Sequence, residues 1–382
     1  MNQLVTATMI EAGSAIRLHW HNGEQARFHA LWLRDNMIDE ETRRSANSQR
    51  LIKVTDIPEQ IRIQEVTICE GDLRVTFSPQ GQTAYFPASW LRNHIYDRSG
   101  IPKQVWVHPE CNTWMSSFEL AKVNSDYTRI TTDRVELRDW LQAVRRFGVA
   151  TLTNCPVRPG ALLEIVKLFG YVRETNYGRF FNVRTEVSPD NLASSSLSLQ
   201  GHTDNPYRDP VPTLQLLYCL ESSAKGGDNL LVDGFYAAEQ LHREEPDSFA
   251  LLTSHCCRFH YSAKDNVKLN SRRPMIELAP DGELKCVRFN SRSIAPIVDV
   301  PFDRMLDYYR AYRKFSALVD RPSMSINFRL NPGDCFLVDN TRILHGRNAF
   351  NPSEGARWLQ GCYADKDGLL STLTALEQDT LS

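Results

Sequence analysis

What this 382-residue chain lacks narrows it first. It has no run close to the roughly 18 consecutive apolar residues that a membrane-spanning helix needs. It has no excess of charge: 44 Lys and Arg stand against 46 Asp and Glu, a formal net charge of −2, which excludes a broad basic surface for nucleic acid or anionic membrane. The opening MNQLVTATMIEAGSAIRLHW lacks the basic-then-apolar order of a signal peptide. No Cys-x-x-Cys pair suggests a zinc site, and of nine cysteines only Cys256 and Cys257 are neighbours, which rarely bridge each other. Reduced thiols in a cytoplasmic protein are therefore expected. No Gly-x-Gly-x-x-Gly follows a strand and no Walker loop is present, so dinucleotide and P-loop chemistry lack their phosphate cradle. What remains is ordinary globular material, 42% hydrophobic and 24% charged, long enough for two domains or one large and one small.

The first hundred residues read as short strands and turns, with Asp72–Phe77 alternating, Ser78–Gly81 turning and Thr83–Phe86 resuming. Leu31-Trp-Leu-Arg-Asp-Asn36 is echoed by Ser89-Trp-Leu-Arg-Asn-His94. Two copies are too few for a repeat array, and the plain expectation is a Trp-Leu pair plugging a small β-core with an Arg at its rim. A linker is predicted from Arg98 to about Asn112, separating a small β-rich domain at 1–100 from a larger one at 113–382. Beyond it, Asp133 starts a helix carrying Leu137, Leu141, Val144 and Phe147, with Gly148 as its C-cap. Val149–Leu152 then reads as a strand, and a second helix spans about 160–169. From residue 200, short β-branched runs alternate with turns, interrupted by helical insertions near 235–252 and 302–319. Many short strands with few helices predict a sandwich or jelly roll.

The chemistry concentrates in Gln200-Gly-His202-Thr-Asp204-Asn-Pro-Tyr-Arg208. On a strand, residues two apart share a face, so His202 and Asp204 present an imidazole and a carboxylate together. With a second, distant histidine they make the 2-His-1-carboxylate set that leaves open positions on Fe(II) for oxygen. Alone the pair is weak, since ten histidines supply such spacings by chance. His242-Arg-Glu244 is a rival, but it lies in a polar helical stretch where residues two apart diverge, and it reads as solvated surface. The third ligand is His345, in Asp339-Asn-Thr-Arg-Ile-Leu-His-Gly-Arg347 after a turn at Asn331-Pro-Gly-Asp334 and a buried strand at 335–338. Twelve residues later Arg357 opens the next strand, where a guanidinium can grip a remote carboxylate by two bonds, as Lys does less well.

These motifs, with Gly226-Gly-Asp-Asn-Leu-Leu-Val-Asp-Gly234 and Arg357-Trp-Leu-Gln-Gly-Cys-Tyr363, resemble the γ-butyrobetaine hydroxylase branch of the taurine dioxygenase-like family over essentially the whole chain. The resemblance implies a double-stranded β-helix (jelly-roll) catalytic domain, Fe(II) held by His202, Asp204 and His345, and 2-oxoglutarate held by Arg357. O2 is then the oxidant, ascorbate a stimulant, and a homodimer the assembly. It departs at one place. Where eukaryotic members carry Cys-x-Cys-x-x-Cys for a structural zinc, Met37–Thr42 stands instead, with no cysteine before Cys69, so no N-terminal zinc is expected.

Family members bind a trimethylammonium head in an aromatic cage, which suits a permanent cation with no hydrogen to donate. By resemblance Tyr177 and Phe181 take two cage positions and Tyr363 lines the site, while a further cage tyrosine falls at about Ser194. Asn191 and Asn290 match the family's carboxylate-binding asparagines. Arg292, expected on the same strand face as Asn290, is an extra cation that serves either a dianionic phosphonate or a surface ion pair. The expected reaction is hydroxylation of an unactivated C–H of a small quaternary amine. γ-Butyrobetaine, giving carnitine, comes first, and 2-(trimethylammonio)ethylphosphonate or another quaternary amine is the alternative. A non-catalytic cupin-like binding protein is the distant one. Neither nucleic acid nor membrane is an expected partner.

Overall fold

The computed structural model describes residues 3–44, 49–97, 106–184, 197–263 and 266–379. The chain divides into two units, Met1–Ile101 and Pro102–Ser382.

The first unit uses one arrangement twice. Strands β1 (Leu4–Ile10), β2 (Ala15–Trp20) and β3 (Gln25–His29) form an antiparallel meander that runs into a six-residue helix, α1 (Ala30–Asp35). Strands β4 (Arg62–Cys69), β5 (Asp72–Ser78) and β6 (Thr83–Phe86) repeat the meander and run into α2 (Ala88–Asn93). Alternation works as the sequence predicts: Leu73, Val75 and Phe77 of β5 are buried between exposed or half-buried neighbours. The Trp-Leu-Arg echo, however, lies on helices rather than on strands or turns. Leu33 and Leu91 are buried in equivalent places, and the rings of Trp32 and Trp90 meet at 5.6 Å. Arg34 is not at a rim; it is buried and donates from Nε to Gln82 Oε1 at 2.6 Å. Six residues are under two turns, too few for a 3.6-residue period to show in sequence.

In the second unit the linker ends sooner than expected. Trp106 already exchanges backbone hydrogen bonds with Gly282 and Leu284. The chain then forms β7 (Asn124–Asp126), α3 (Tyr127–Thr132), α4 (Arg134–Phe147), β8 (Val149–Thr153) and α5 (Leu162–Lys167). Helix α4 shows why the sequence was readable there: Asp133 accepts from the amides of Val135 and Glu136, and Gly148 closes the helix at φ +73°, where a side chain would be strained. Next come β9 (Phe181–Arg184), β10 (Leu199–His202), β11 (Leu214–Ser222) and β12 (Asn229–Asp233). The first helical insertion is two helices, α6 (Gly234–Glu244) and α7 (Pro246–Ser254), because Pro246 lacks the amide needed to continue α6. The rest is β13 (Cys256–Ser262), β14 (Lys268–Pro274), β15 (Ile276–Leu278), β16 (Leu284–Val287), α8 (Phe302–Val319), β17 (Ser325–Phe328), β18 (Cys335–Asp339), β19 (Ile343–Arg347), β20 (Arg357–Ala364) and α9 (Lys366–Asp379).

Two sheets make the double-stranded β-helix. One has six strands in the order β7-β8-β18-β11-β20-β9, the other four in the order β10-β19-β12-β17. Leu217, Leu231, Ile326, Phe336, Val338, Ile343 and Leu359, drawn from both sheets, pack together as the interior. Helices α4, α5 and α9 cover the six-stranded sheet, and α6, α7 and α8 cover the other. Both sheets are thus buried on two faces, which leaves polar interior positions few and expensive. Among the described residues no helix is long and apolar enough to cross a membrane.

Candidate metal centre and substrate pocket

The polar exceptions in that interior cluster at one place. Strands β10 and β19 pair antiparallel with His202 opposite His345, and their rings lie 4.5 Å apart. The expected strand stops at His202, and Asp204 lies just past its end, where Asn205 turns the chain at φ +52°. Asp204 still faces the imidazoles. Its Oδ1 lies 3.3 Å from His202 Nε2 and 3.8 Å from His345 Nε2. Asn340 clasps the backbone there, accepting from the Asp204 amide at 2.7 Å and donating to its carbonyl at 2.9 Å. The second carboxylate oxygen, Oδ2, accepts from Gln215 Nε2 of β11 at 2.6 Å and from the Tyr363 hydroxyl of β20 at 2.7 Å.

The donor set fits a divalent cation. His202 Nδ1 is 2.8 Å from the Gln200 carbonyl and donates to it, which turns Nε2 toward Asp204 Oδ1. Burial alone would raise the Asp204 carboxyl, but His345, His202 and the Tyr363 hydroxyl outweigh it and hold it below the usual carboxylate range. Burial, then the neighbouring His202, push His345 down to about 3 against the pull of Asp204, so its imidazole is neutral at pH 7. Two imidazoles and a carboxylate, their ligand atoms all within 4.8 Å of one another, are a 2-His-1-carboxylate set. His242 of the rival motif is exposed, as expected.

A second polar exception is a buried cation with no carboxylate partner among the described residues. Arg357, 9% exposed at the start of β20, donates from Nε to the Gly227 carbonyl at 3.2 Å and from Nη2 to Asn229 Oδ1 at 3.0 Å. It pairs with no carboxylate among the described residues. Burial first, then Arg347, bring its pKa down to about 10. A buried guanidinium without an anion is costly, and a ligand carboxylate removes that cost. Gly227, at φ +73°, makes the close approach possible: a Cβ there would lie 3.1 Å from Arg357 Cδ.

The expected substrate residues divide. Phe181 and Tyr363 approach at 5.3 Å between ring centroids, and Tyr177 meets Phe181 at 6.0 Å, so these three form one aromatic wall leading from Asp204. Two further rings, absent from the sequence reading, extend it. Tyr207 stacks on Tyr261 at 4.8 Å, and Tyr261 lies 5.9 Å from Tyr177. Burial is the main reason that the phenols of Tyr177, Tyr207 and Tyr363 are pushed far above their ordinary value and stay neutral. Asn191 lies outside the described residues. Asn290 is buried and donates to the Thr203 carbonyl at 3.2 Å.

Arg292 does not share a strand face with Asn290. Residues 291–293 form a turn, which Asn290 Oδ1 closes by accepting from the Arg292 amide at 3.2 Å. This is an Asx turn, a local signal present in the sequence and overlooked. The Arg292 side chain is exposed and pairs with no carboxylate among the described residues, and its charge reaches His345 and Arg347. Arg347 itself was missed as a site residue. It is two residues past His345 on β19 and hence on the same face, buried, with its guanidinium 4.9 Å from the centre of the Phe350 ring. Burial, then Arg292, lower it to about 10.

A jelly roll holding a 2-His-1-carboxylate set and a buried arginine with no carboxylate partner among the described residues has the parts of an oxygenase site. Comparison with known proteins gives the class its family. Residues 116–363 match the profile of the taurine catabolism dioxygenase TauD, TfdA family, and residues 8–92 match the gamma-butyrobetaine hydroxylase-like N-terminal profile. The chain belongs to the TauD/TfdA dioxygenase family. It is 35% identical over 373 residues to a gamma-butyrobetaine dioxygenase of Pseudomonas sp. (strain AK-1), covering 97% of this chain and 96% of the relative. It is 30% identical over 357 residues to a mitochondrial trimethyllysine dioxygenase of Gallus gallus, covering 92% and 83% respectively. Among solved structures, asparagine oxygenase in complex with Fe(II), 2S,3S-3-hydroxyasparagine and succinate is 18% identical, with a TM-score of 0.48 over 63% of this chain and 92% of that one. The protein is an enzyme, a dioxygenase of this family.

Proposed function

We propose that this dioxygenase hydroxylates an unactivated C–H of a small trimethylammonium compound, γ-butyrobetaine first, giving carnitine. The observation that carries the reading is the wall of Tyr177, Phe181 and Tyr363 beside the metal carboxylate. Neutral phenol and phenyl faces attract a permanent cation without needing a hydrogen bond from it. The names of the relatives, gamma-butyrobetaine and trimethyllysine dioxygenases, point to the same headgroup.

In this reading His202, Asp204 and His345 hold Fe(II), and Arg357 takes the remote carboxylate of 2-oxoglutarate. The metal and co-substrate supply the oxidising chemistry. The chain supplies placement. Gln215 and Tyr363 orient Asp204, the aromatic wall holds the ammonium, and Asn290, with Asn191, receives the anionic end. Placement decides the rate, since a misplacement of about 1 Å costs on the order of a hundredfold. A homodimer and a cytoplasmic location complete the proposal.

One observation favours the phosphonate alternative: Arg292 is a cation with no carboxylate partner among the described residues, and its charge reaches into the site. The two substrates separate in one assay. Succinate and hydroxylated product are measured with Fe(II), 2-oxoglutarate, ascorbate and air, for γ-butyrobetaine and 2-(trimethylammonio)ethylphosphonate side by side. Coupled turnover of γ-butyrobetaine supports the first reading. Turnover of the phosphonate alone, lost in Arg292→Ala, replaces it with the second. Succinate coupled to neither refutes both.

A further inference from the structure

The aromatic wall is tied to the metal loop by a relay of hydroxyl groups that the expected chemistry does not use. Tyr177 rides on a tight turn in which Thr175 and Gly178 exchange backbone hydrogen bonds at 3.2 and 2.9 Å. Against this turn lies the chain leaving Asp204. Two consecutive residues of one segment engage two consecutive residues of the other: Asn176 accepts from Arg208, and the Tyr177 and Tyr207 hydroxyls are 2.9 Å apart. The Tyr207 hydroxyl donates onward to Asn205 Oδ1 at 2.6 Å. That uses its one proton, so Tyr177 is the donor in the first link. Asn205 directly follows Asp204 and holds the left-handed backbone that Asn tolerates better than most residues. At the other end of the wall, Tyr363 donates to Asp204 itself.

The result is a closed circuit. It runs from Asp204 through the Tyr363 hydroxyl to the Phe181 ring, across to Tyr177, through the hydroxyls of Tyr177 and Tyr207 to Asn205, and back along one peptide bond to Asp204. Tyr261, stacked on Tyr207 with 20° between ring planes, keeps that ring from swinging out of the circuit. A wall anchored at one end only would pivot about Tyr363. Anchored at both ends, it holds a fixed distance from the metal ligands.

We propose that Tyr207 and Asn205 are positioning residues that gauge the distance between the cation-binding rings and the metal, and so decide which substrate carbon is presented for oxidation. The inference rests on the trimethylammonium reading above. Removing the Tyr207 hydroxyl leaves the stacked ring in place and takes away both of its hydrogen bonds, from Tyr177 and to Asn205. The Tyr177 bond is the link to the wall, and its loss changes the population of the correctly placed wall by about fivefold.

The test is a double-mutant cycle of Tyr177→Phe and Tyr207→Phe in the full-length iron-loaded enzyme. Succinate, hydroxylated product and product regiochemistry are measured on whichever quaternary amine the wild type turns over, with ascorbate supplying the electrons that uncoupled turnover consumes. Each single variant is expected to form about fivefold more succinate per hydroxylated product, and to spread hydroxylation to a neighbouring carbon. Affinity for 2-oxoglutarate should be unchanged, and the double variant no worse than either single one. A simple loss of kcat with one product and tight coupling overturns the inference. So do effects that add as if independent, or a parallel loss of 2-oxoglutarate affinity. A wild type that turns over no quaternary amine refutes the substrate reading itself and the inference with it, which no result confined to the variants does.

Discussion

Replacing Arg357 by Met should weaken 2-oxoglutarate binding sharply while leaving the ligand-free protein close to its original stability. The two effects have separate sources. The guanidinium is charged in the folded and unfolded chain at neutral pH, yet its pKa falls from 12.5 to about 10 on folding, mainly through burial. For a base, a folded value below the unfolded one means that the charge opposes folding. The cost is fully present at every pH below about 10 and is relieved only as the pH rises toward 12.5. The difference is ~3 kcal/mol at 1.36 kcal/mol per pH unit. Methionine removes it, but leaves the Gly227 carbonyl and Asn229 Oδ1 without their donor, at about 1–3 kcal/mol. The two terms nearly cancel. Binding has no such offset, because truncating one partner of a buried charged pair costs about 3–5 kcal/mol, roughly two to three and a half orders of magnitude in Kd. The assay is anaerobic calorimetric titration of Mn(II)-loaded protein with 2-oxoglutarate, with thermal unfolding recorded with and without ligand. The parent should gain about 2.7 kcal/mol of stability at a hundred times its Kd, and the variant almost none at that concentration. If Arg357→Met binds 2-oxoglutarate within about threefold of the parent, the counter-ion argument is wrong and the anionic pocket lies elsewhere.

Three further perturbations test other parts of the site and fold. Gly361 of β20 lies opposite Phe181, and a Cβ there would come within 2.5 Å of the Phe181 ring. Gly361→Ala should therefore displace that ring and raise KM for the amine while 2-oxoglutarate affinity stays put, measured by steady-state kinetics against each substrate. Gln215→Met removes one of the two donors on Asp204 Oδ2; Fe(II) affinity should fall by about 10–100-fold in a competitive chelator titration. Arg342, 1% exposed, makes two hydrogen bonds with the fully buried Asp233, which also accepts from the amides of Trp114 and Phe235. Arg342→Met strands that carboxylate and should cost about 3–5 kcal/mol of stability by chemical denaturation.

Much of the site could be read before any fold was known, because its signals are short and chemical. His202 and Asp204 lie two residues apart, His345 follows a turn and a buried strand, and Arg357 opens a strand. Helix α4 was equally readable, since both its caps, Asp133 and Gly148, act through neighbouring backbone. The misses have two kinds of cause. Some signals were present and overlooked: Asn290 capping the turn that carries Arg292, Pro246 dividing α6 from α7, and Arg347 two residues past His345 on one strand face. Others have no local expression. Nothing near Tyr207 announces that its hydroxyl meets one 30 residues earlier, or that Tyr261, from the β13–β14 hairpin, closes on its ring.

That division follows from how the site is built. The metal ligands sit on or beside paired strands, whose two-residue period translates directly into side-chain direction, so their chemistry shows in sequence spacing. Of the aromatic wall, Tyr363 is on the interior strand β20, but Tyr177 sits on a turn and Phe181 on an edge strand, β9, where direction depends on what packs against them. Loops placed by a rigid scaffold are where specificity diverges among proteins of one fold. The reaction class is therefore written in the strands, and the choice of substrate carbon in contacts between loops. Here the two are joined at a single residue, since Asp204 accepts the Tyr363 hydroxyl on one side and passes by one peptide bond to Asn205 on the other. A change that moves the Asp204–Asn205 peptide should then alter metal affinity and product regiochemistry together, whereas a change at Arg357 should alter neither.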